Sequence, residues 1–339
     1  MNVNLEESLR RIIGAVEFHS PQSFSFAGRP ANLWSALQPP LGGTAPLGAE
    51  QIVPTLQNIF YATCYTRTFI ESVKESPVAA AAGDDTWLAS LSAANASKDT
   101  WEEGWTVRQF LPSGQIYAQK GNTTRAFWPG EFMSRGAYGF PPQAGTPIAA
   151  FFPRESRNSQ PGFYFAFGET PAATDDEFPC VRYYWNLKRE GGAQLIRSLT
   201  TALNRYQAPF RLKIVNSLAL LNRTDSAVLY VGRRYYRIAA EITLETQAKV
   251  AAALDDAVPL FTLPLAKGLA FAEDPGNQES FGMSRCRLLA EGLWHAFCEG
   301  RSSVADRLER VRQHFLANGT SLERPYLNLA SIDSYEFPQ

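Results

Sequence analysis

VRYYWNLK at residues 181–188 and FRLKIV at residues 210–215 are the two segments that decide the fold class. In both segments apolar residues alternate with polar ones, which is the two-residue period of a strand with one buried face. The residues between them, 191–206, carry apolar side chains at helical spacing. Strand, helix and strand in this order predict an α+β domain whose mixed β-sheet is flanked by helices. The elements predicted to complete the domain are strands at 163–167, 226–231 and 235–238 and helices at 239–254, 284–298 and 303–317.

The N-terminal part of the chain is predicted to be mainly helical with a small β-hairpin. Residues 140–162 contain five prolines, which is typical of a connection between structural units. We therefore predict a helical N-terminal region at 1–150 and an α+β domain at 162–339, in which an acidic loop, TDDEFP at 174–179, follows the first strand. The N-terminal elements are predicted as helices at 5–18, 49–73 and 86–96, a hairpin from 105–111 to 116–119, and a third strand at 125–128.

The overall composition is that of a globular protein and excludes several functional classes. Of the 339 residues, 45% are hydrophobic and 19% are charged, and the net charge of −1 gives no general attraction to nucleic acid or membrane lipid. The four cysteines form no CxxC pair, the three histidines form no HExxH motif, and neither GxGxxG nor GxxxxGK[ST] occurs. We therefore expect no metal and no organic cofactor. The first 18 residues lack the apolar core of a signal peptide, so a cytoplasmic location is expected.

Positive charge is concentrated locally, between residues 181 and 240. This segment has eleven basic residues and two acidic ones, whereas the whole chain has 32 and 33. Some of the basic residues belong to the polar face of the predicted helix, but Arg182, Lys188, Arg211 and Lys213 alternate with apolar residues on the predicted strands. If these strands are neighbours, the four side chains converge. The pattern then indicates either a solvated polar face of the sheet or a binding site for phosphate or carboxylate.

Other candidate residues surround this basic segment. The loop at 273–287 leads into a predicted helix, and Arg285 near its start would meet an anion together with the positive end of the helix dipole. Tyr184 and Tyr230 are either proton donors or half-buried aromatic residues. Asp225, one of only two acids in the basic segment, is expected to orient an arginine rather than to act alone. His295 lies within a predicted helix, and its surroundings there are typical of a structural residue at the edge of the core.

Residues 181–335 resemble the HopA-type family of type III secreted effectors, whose homologues also occur as stand-alone lyases of class V lanthipeptide and thioamitide-like pathways. The resemblance is carried by VRYYWNLKREGGAQLI, APFRLKIVN, NRTDSAVLYVGRRYY, AEDPGNQESFGMSRCRLLAEGL and PYLN. It implies the activity of a phosphoserine or phosphothreonine lyase. A separate Ser/Thr kinase would phosphorylate a precursor peptide, and this protein would eliminate the phosphate to leave dehydroalanine or dehydrobutyrine.

Elimination requires a base for the α-proton, cations for the phosphate and assistance to the leaving group. Lys213 is predicted as the base, because neighbouring cations depress a lysine pKa. The proton donor stays open, since lyases of the OspF type use a histidine that has no clear counterpart here. Two other functions also stay open: a non-catalytic phosphopeptide-binding or effector-like module, and an unrelated enzyme that processes anions. The remaining predicted roles are phosphate binding by Arg182, Arg211, Arg223 and Arg285, orientation by Asn186 and Asp225, and proton donation by Tyr184 or Lys188. If Lys213 is not the base, the other candidate bases are Lys188, Tyr184 and His295.

Overall fold

The computed structural model describes residues 3–37, 49–70, 84–136, 141–172, 179–276, 279–328 and 330–338. Most of the predicted acidic loop at 174–179 lies outside these residues. The α+β prediction is confirmed. The helices of the described part are α1 (Val3–Gly14), α2 (Ala49–Phe60), α3 (Asp85–Ala94), α4 (Gly192–Arg205), α5 (Tyr236–Val250), α6 (Phe281–Cys298) and α7 (Val304–Ala317). The strands are β1 (Val16–Ser20), β2 (Ser23–Phe26), β3 (Arg29–Pro30), β4 (Thr100–Phe110), β5 (Ile116–Lys120), β6 (Thr123–Phe127), β7 (Phe132–Ser134), β8 (Pro147–Phe152), β9 (Glu155–Ser156), β10 (Phe163–Phe167), β11 (Cys180–Trp185), β12 (Phe210–Val215), β13 (Ala227–Gly232), β14 (Leu263–Ala266) and β15 (Leu269–Glu273).

A seven-stranded sheet forms the centre of the molecule, with the strand order β14-β15-β11-β13-β12-β10-β9. Its described strand pairs are antiparallel. The predicted strands β11 and β12 are not direct neighbours, because β13 lies between them. The register places Tyr230 of β13 opposite both Arg182 and Arg211. Side chains of β11 and β12 can therefore converge across a single intervening strand.

The two faces of this sheet have different surroundings. One face carries Tyr183, Leu212 and Leu229, which are fully buried in the main core under α4 and α5. The opposite face carries the basic residues of β11 and β12 and is approached by α6 and by the chain that follows α2. The approach is close at Gly282, where any Cβ atom would lie 2.4 Å from the ring of Tyr65. Glycine at this position lets the N-terminal segment reach the sheet.

The N-terminal elements share the main core with the seven-stranded sheet. The core contains apolar residues of α1, of the sheet β1-β2-β3 and of α2, and α2 packs against α6. A separate five-stranded sheet, β6-β5-β4-β8-β7, encloses its own small core around Trp105, Val107 and Ile148. The chain leaves this sheet through β8 and enters the central sheet at its edge strand, β9.

Several local predictions were wrong or incomplete. Residues 235–238 were predicted as a strand, but a 3-10 turn at Arg233–Tyr235 leads directly into α5. The helix predicted at 49–73 stops at Phe60 and continues as one π-helical turn, Tyr61–Tyr65, which we call the π-turn. The hairpin of β14 and β15 was not predicted, because all residues of β15 are buried and its sequence, LAFAE, lacks alternation.

Candidate functional site

Two arginines and one tyrosine lie in a row across the sheet face that is opposite to α4 and α5. Arg182 on β11 and Arg211 on β12 both lie against the ring of Tyr230 on β13. Their guanidinium carbons are 5.1 Å and 4.6 Å from the ring centroid. The aromatic face attracts both cations and holds them on either side of one phenol group.

Lys213 lies in the next row of the same face, two residues along β12 from Arg211. Its Nζ atom is 3.8 Å from the ring centroid of Phe163 on β10. Burial lowers the pKa of Lys213 to about 8; the positive charges of Arg223, Arg182 and Arg211 act in the same direction and Asp225 acts against it. Within the described part of the chain, the ammonium group makes no hydrogen bond and no ion pair.

The loop between β12 and β13 adds a fourth cation. Arg223 forms a two-pronged ion pair with Asp225, at 2.7 Å from Nε to Oδ1 and 3.0 Å from Nη2 to Oδ2. Its guanidinium carbon is 5.6 Å from the centroid of Phe163, the ring that Lys213 also contacts. Thr224 anchors the loop to the π-turn, since its backbone N–H donates to Thr66 O at 2.8 Å and its hydroxyl donates to Tyr65 O at 2.7 Å. We call Arg182, Arg211, Lys213 and Arg223 the basic cluster.

Tyrosine side chains line the boundary of the basic cluster. Tyr61 and Tyr65 of the π-turn stack with 5.4 Å between their ring centroids, and Arg223 Nη2 donates to Tyr61 Oη at 3.3 Å. The hydroxyl of Tyr184 is buried beside the hydroxyl of Tyr65 and the guanidinium of Arg182. It makes no well-aligned hydrogen bond to any described residue. Burial raises the pKa of Tyr61 to about 12 and that of Tyr184 well above its usual value. These hydroxyls are therefore protonated hydrogen-bond donors at neutral pH.

The charges of the basic cluster are only partly matched by carboxylates. Arg182 Nε donates to Asp274 Oδ2 at 2.7 Å, and Arg223 pairs with Asp225. Arg211 and Lys213 have no carboxylate partner among the described residues. Two positive charges are thus in excess, the exposed guanidinium of Arg211 and the partly buried ammonium of Lys213, beside tyrosine hydroxyls that can donate hydrogen bonds. This arrangement fits a dianion with several acceptor oxygens, which is the chemistry of a phosphate monoester.

Three of the predicted site residues, Asn186, Lys188 and His295, lie away from the basic cluster. β11 ends at Trp185, and beyond it Lys188 Nζ pairs with Asp255 Oδ1 at 3.1 Å while Asn186 Nδ2 donates to Ala257 O at 2.9 Å. Both side chains hold the 255–257 loop, because the chain turns away before the strand alternation reaches them. His295 lies ten residues beyond Arg285 on α6, about 15 Å along the helix.

The contacts of His295 confirm a separate location between α6 and α7. Its Nδ1 atom is 3.1 Å from Arg310 Nη2, and its ring centroid is 4.9 Å from that of His314. Burial, His314 and Arg310 lower the pKa of His295. It therefore belongs to a polar network between two helices and not to the basic cluster.

Arg285 was predicted to bind phosphate, but its donors are directed to the protein backbone. Nε donates to Pro325 O and Nη2 donates to Leu327 O, both at 2.7 Å. Burial lowers the pKa of this arginine to about 10. Arg285 lies close enough to Tyr184 for an electrostatic interaction, yet its hydrogen bonds tether the C-terminal segment. The structure therefore does not place the donors of Arg285 in the basic cluster.

The π-turn residues and Asp274 were missed by the sequence interpretation. Tyr61 and Tyr65 lie about 120 residues before β11, in a segment predicted as ordinary helix. The spacing of two tyrosines by four residues in an otherwise apolar stretch was the available signal. Among the described residues, no group of three or more potential ligands is arranged to hold a metal ion. Likewise, none of the described helices has the length and apolar character needed to cross a membrane.

Comparison with known proteins gives similarity to one family. The model of the HopA1 effector protein family matches residues 154–327, a segment that contains the whole basic cluster. An effector protein structure from Pseudomonas syringae pv. tomato strain DC3000 is 23% identical, with a TM-score of 0.40 over 50% of this chain and 63% of that chain. An effector from Pseudomonas syringae pv. syringae strain 61 is 18% identical, with a TM-score of 0.38 over 51% of this chain and 65% of that chain. The matches thus span less than two thirds of either effector, and no curated protein matches. Because the family model covers slightly more than half of its 339 residues, this chain belongs to the HopA1 effector protein family.

Proposed function

We propose that this protein is a phosphoserine and phosphothreonine lyase, which eliminates phosphate from a modified peptide and leaves dehydroalanine or dehydrobutyrine. The observation that carries the proposal is Lys213, a desolvated amine with a pKa near 8 and no carboxylate partner among the described residues. Such a lysine combines two properties that a general base needs: an accessible neutral form and a fixed position among substrate-binding cations.

The base step follows from the environment of Lys213. With a pKa of about 8, about a tenth of the molecules carry a neutral amine at pH 7, compared with fewer than about one in a thousand for an ordinary lysine. The neutral Nζ removes the α-proton of the phosphorylated residue. The electron pair of the Cα–H bond then forms the Cα=Cβ double bond, and the Cβ–O bond breaks with its electron pair passing to the phosphate oxygen.

The phosphate step uses the other three cations of the basic cluster. Arg211 has no carboxylate partner among the described residues and is the first ligand for the anion. Arg182 and Arg223 are held by Asp274 and Asp225 and present their remaining N–H groups to the same region. Tyr184 adds a buried hydroxyl beside Arg182. Fixed donors of this kind stabilise the negative charge that develops on the departing phosphate.

The finer assignment, a role in lanthipeptide-type biosynthesis of ribosomal peptides, is supported by the resemblance of residues 181–335 to stand-alone lyases of such pathways. In that setting a separate Ser/Thr kinase supplies the phosphorylated precursor peptide. The proposed reaction requires no metal and no organic cofactor, because the base and the anion ligands are side chains of this chain.

Mass spectrometry of phosphopeptides tests the proposal directly. Synthetic peptides with one phosphothreonine or phosphoserine between randomised flanks are incubated with the protein in a strong chelator. Elimination removes phosphoric acid and lowers the mass by about 98 Da per site, whereas hydrolysis lowers it by about 80 Da. Lys213→Met should abolish the loss, and Lys188→Ala, outside the basic cluster, should retain it.

The outcome also separates the lyase from the alternative function. Tight binding of the phosphopeptides without any mass change would identify a phosphopeptide-binding module and refute the lyase. A mass loss that requires added metal would refute the mechanism based on Lys213.

A further inference from the structure

The proposed elimination needs a proton for the departing phosphate, and the π-turn places a suitable hydroxyl at the basic cluster. Tyr61 Oη accepts a hydrogen bond from Arg223 Nη2 at 3.3 Å. Within the described part of the chain this is its single hydrogen bond, so the proton of Tyr61 has no acceptor there. An acceptor oxygen of a bound phosphate ester can take that proton.

Of the three tyrosines at the boundary of the basic cluster, Tyr61, Tyr65 and Tyr184, Tyr61 is the most exposed to solvent. It is only half-buried, whereas Tyr65 and Tyr184 are each 2% exposed. Arg223, the partner of Tyr61, shares the ring of Phe163 with Lys213. The hydroxyl of Tyr61 thus contacts the arginine that shares an aromatic ring with the base.

We propose that Tyr61 is the catalytic proton donor of this site and protonates the bridging oxygen of the phosphate ester as the Cβ–O bond breaks. The inference rests on the proposed lyase function. Lys213 gains the α-proton and becomes an ammonium, Tyr61 loses its proton and becomes a phenolate, and the products are the dehydroamino acid and hydrogen phosphate. Transfer of a proton from Lys213 to Tyr61 through solvent restores both groups.

The surroundings of Tyr61 keep it protonated and fixed until that step. Burial, reinforced by Asp225, raises its pKa to about 12, although Arg223 acts in the opposite direction. Its ring stacks on Tyr65 with an interplanar angle of 15°. Thr224 ties this turn to the loop that carries Arg223, through hydrogen bonds to Tyr65 O and Thr66 O. Because the family match begins at residue 154, the donor comes from a segment outside it.

Tyr61→Phe removes only the hydroxyl and keeps the stacked ring, so folding should be preserved, as thermal unfolding will show. At pH 8 we expect kcat for a phosphothreonine peptide to fall about 100-fold with KM changed less than about threefold. At pH 5.5 the substrate phosphate carries its own proton, since its second pKa is about 6, and the deficit should shrink to about tenfold. The matched control is Tyr117→Phe, on the separate five-stranded sheet, which should keep wild-type turnover.

The pH comparison distinguishes proton donation from a merely structural contribution. A Tyr61→Phe deficit that is equal at both pH values, or turnover within about threefold of wild type at pH 8, would overturn the assignment of Tyr61. An inactive wild-type protein would instead refute the lyase proposal itself, and with it any role of Tyr61 as donor.

Discussion

The basic cluster and the polar network between α6 and α7 are both rich in charged side chains, but they balance their charges differently. In the network, Arg287 lies 3.4 Å from Glu279 and 3.0 Å from Glu291, and His314 Nε2 lies 2.8 Å from Glu291. Arg287 and His314 thus each have a carboxylate partner among the described residues. In the basic cluster, four cations share two carboxylates among the described residues.

The difference indicates which region is built for a ligand. Matched and partly exposed ion pairs contribute little to stability and require nothing further. Arg211 is exposed, but the ammonium of Lys213 is partly buried without a carboxylate partner among the described residues, and burial lowers its pKa to about 8. A protein retains such an arrangement where an anion completes it.

The largest expected effect is that of Lys213→Met, which keeps the apolar stem against Phe163 and removes the amine. Turnover should fall about 10² to 10⁴-fold, the usual contribution of a general base. The free energy of unfolding should stay the same or rise, because the ammonium is destabilised by burial. Steady-state kinetics and urea unfolding measure the two quantities. Arg287→Met, in the balanced network, is the control and should leave turnover unchanged; near-normal turnover of Lys213→Met would remove Lys213 from the mechanism.

Arg285→Ala should have the next largest effect, and on stability. The substitution leaves two buried backbone acceptors, Pro325 O and Leu327 O, without their charged donor. We expect the free energy of unfolding to fall by about 2–4 kcal/mol, measured by urea unfolding. Arg285→Lys supplies a single ammonium group in place of the two guanidinium nitrogens that donate to Pro325 O and Leu327 O. It should therefore recover only part of the lost free energy of unfolding. A large loss of phosphate affinity with unchanged stability would restore Arg285 to the phosphate site.

The sequence predicted the central strands well because their alternation is a local property. β12 has the predicted bounds, and the predicted faces of Arg182, Arg211 and Lys213 follow from the same period of two. The predicted strand ran on to Lys188, because nothing local in VRYYWNLK marks its end at Trp185. The predicted strand therefore extends three residues beyond the observed end of β11 at Trp185.

The remaining differences between sequence and structure concern contacts between segments that are distant in the chain. Tyr61 reaches Arg223 across 162 residues, and Arg285 reaches Leu327 across 42. Neither partner can be read from a short sequence pattern. The choice between phosphate binding and backbone binding by an arginine depends on which acceptors the tertiary fold brings to it, so residue type alone could not decide it.

A smaller effect is expected from pH, through the lowered pKa of Lys213. Lys213 is protonated below about pH 8 and neutral above it, so an anion should bind more weakly as the pH rises from 7 to 9. Sulfate is a suitable probe because its charge is constant in this range. Loss of one charge should weaken binding about fivefold, measured by isothermal titration calorimetry. In Lys213→Met the affinity should be low and independent of pH; a pH dependence that persists in this variant would assign the titration to another group.

The same pKa predicts the sign of the stability change with pH. In the unfolded chain Lys213 has the ordinary lysine pKa of about 10.4, so between about pH 8 and 10 the unfolded state binds more protons than the native state. The free energy of unfolding should therefore gain a contribution from Lys213 as the pH rises through this window. The difference between wild type and Lys213→Met, measured in urea at pH 7.5 and 9.5, isolates this contribution. An unchanged difference would contradict the desolvated position of the ammonium.

The smallest effect is expected from Lys188→Ala, and it is the sharpest test of the contrast between matched surface charges and the basic cluster. Lys188 and Asp255 are 42% and 58% exposed, whereas Arg182 and Asp274 are 10% and 11% exposed. Because water screens the first pair, a double-mutant cycle with Asp255→Ala should give a coupling of less than about 0.5 kcal/mol. The corresponding cycle for Arg182 and Asp274 should give at least about 1.5 kcal/mol, since each single substitution leaves a buried charge alone. Turnover should stay within about twofold of wild type in Lys188→Ala, because its ammonium neutralises a carboxylate outside the basic cluster. A strong coupling or a large loss of turnover at Lys188 would mean that charge balance does not separate structural from functional residues in this fold.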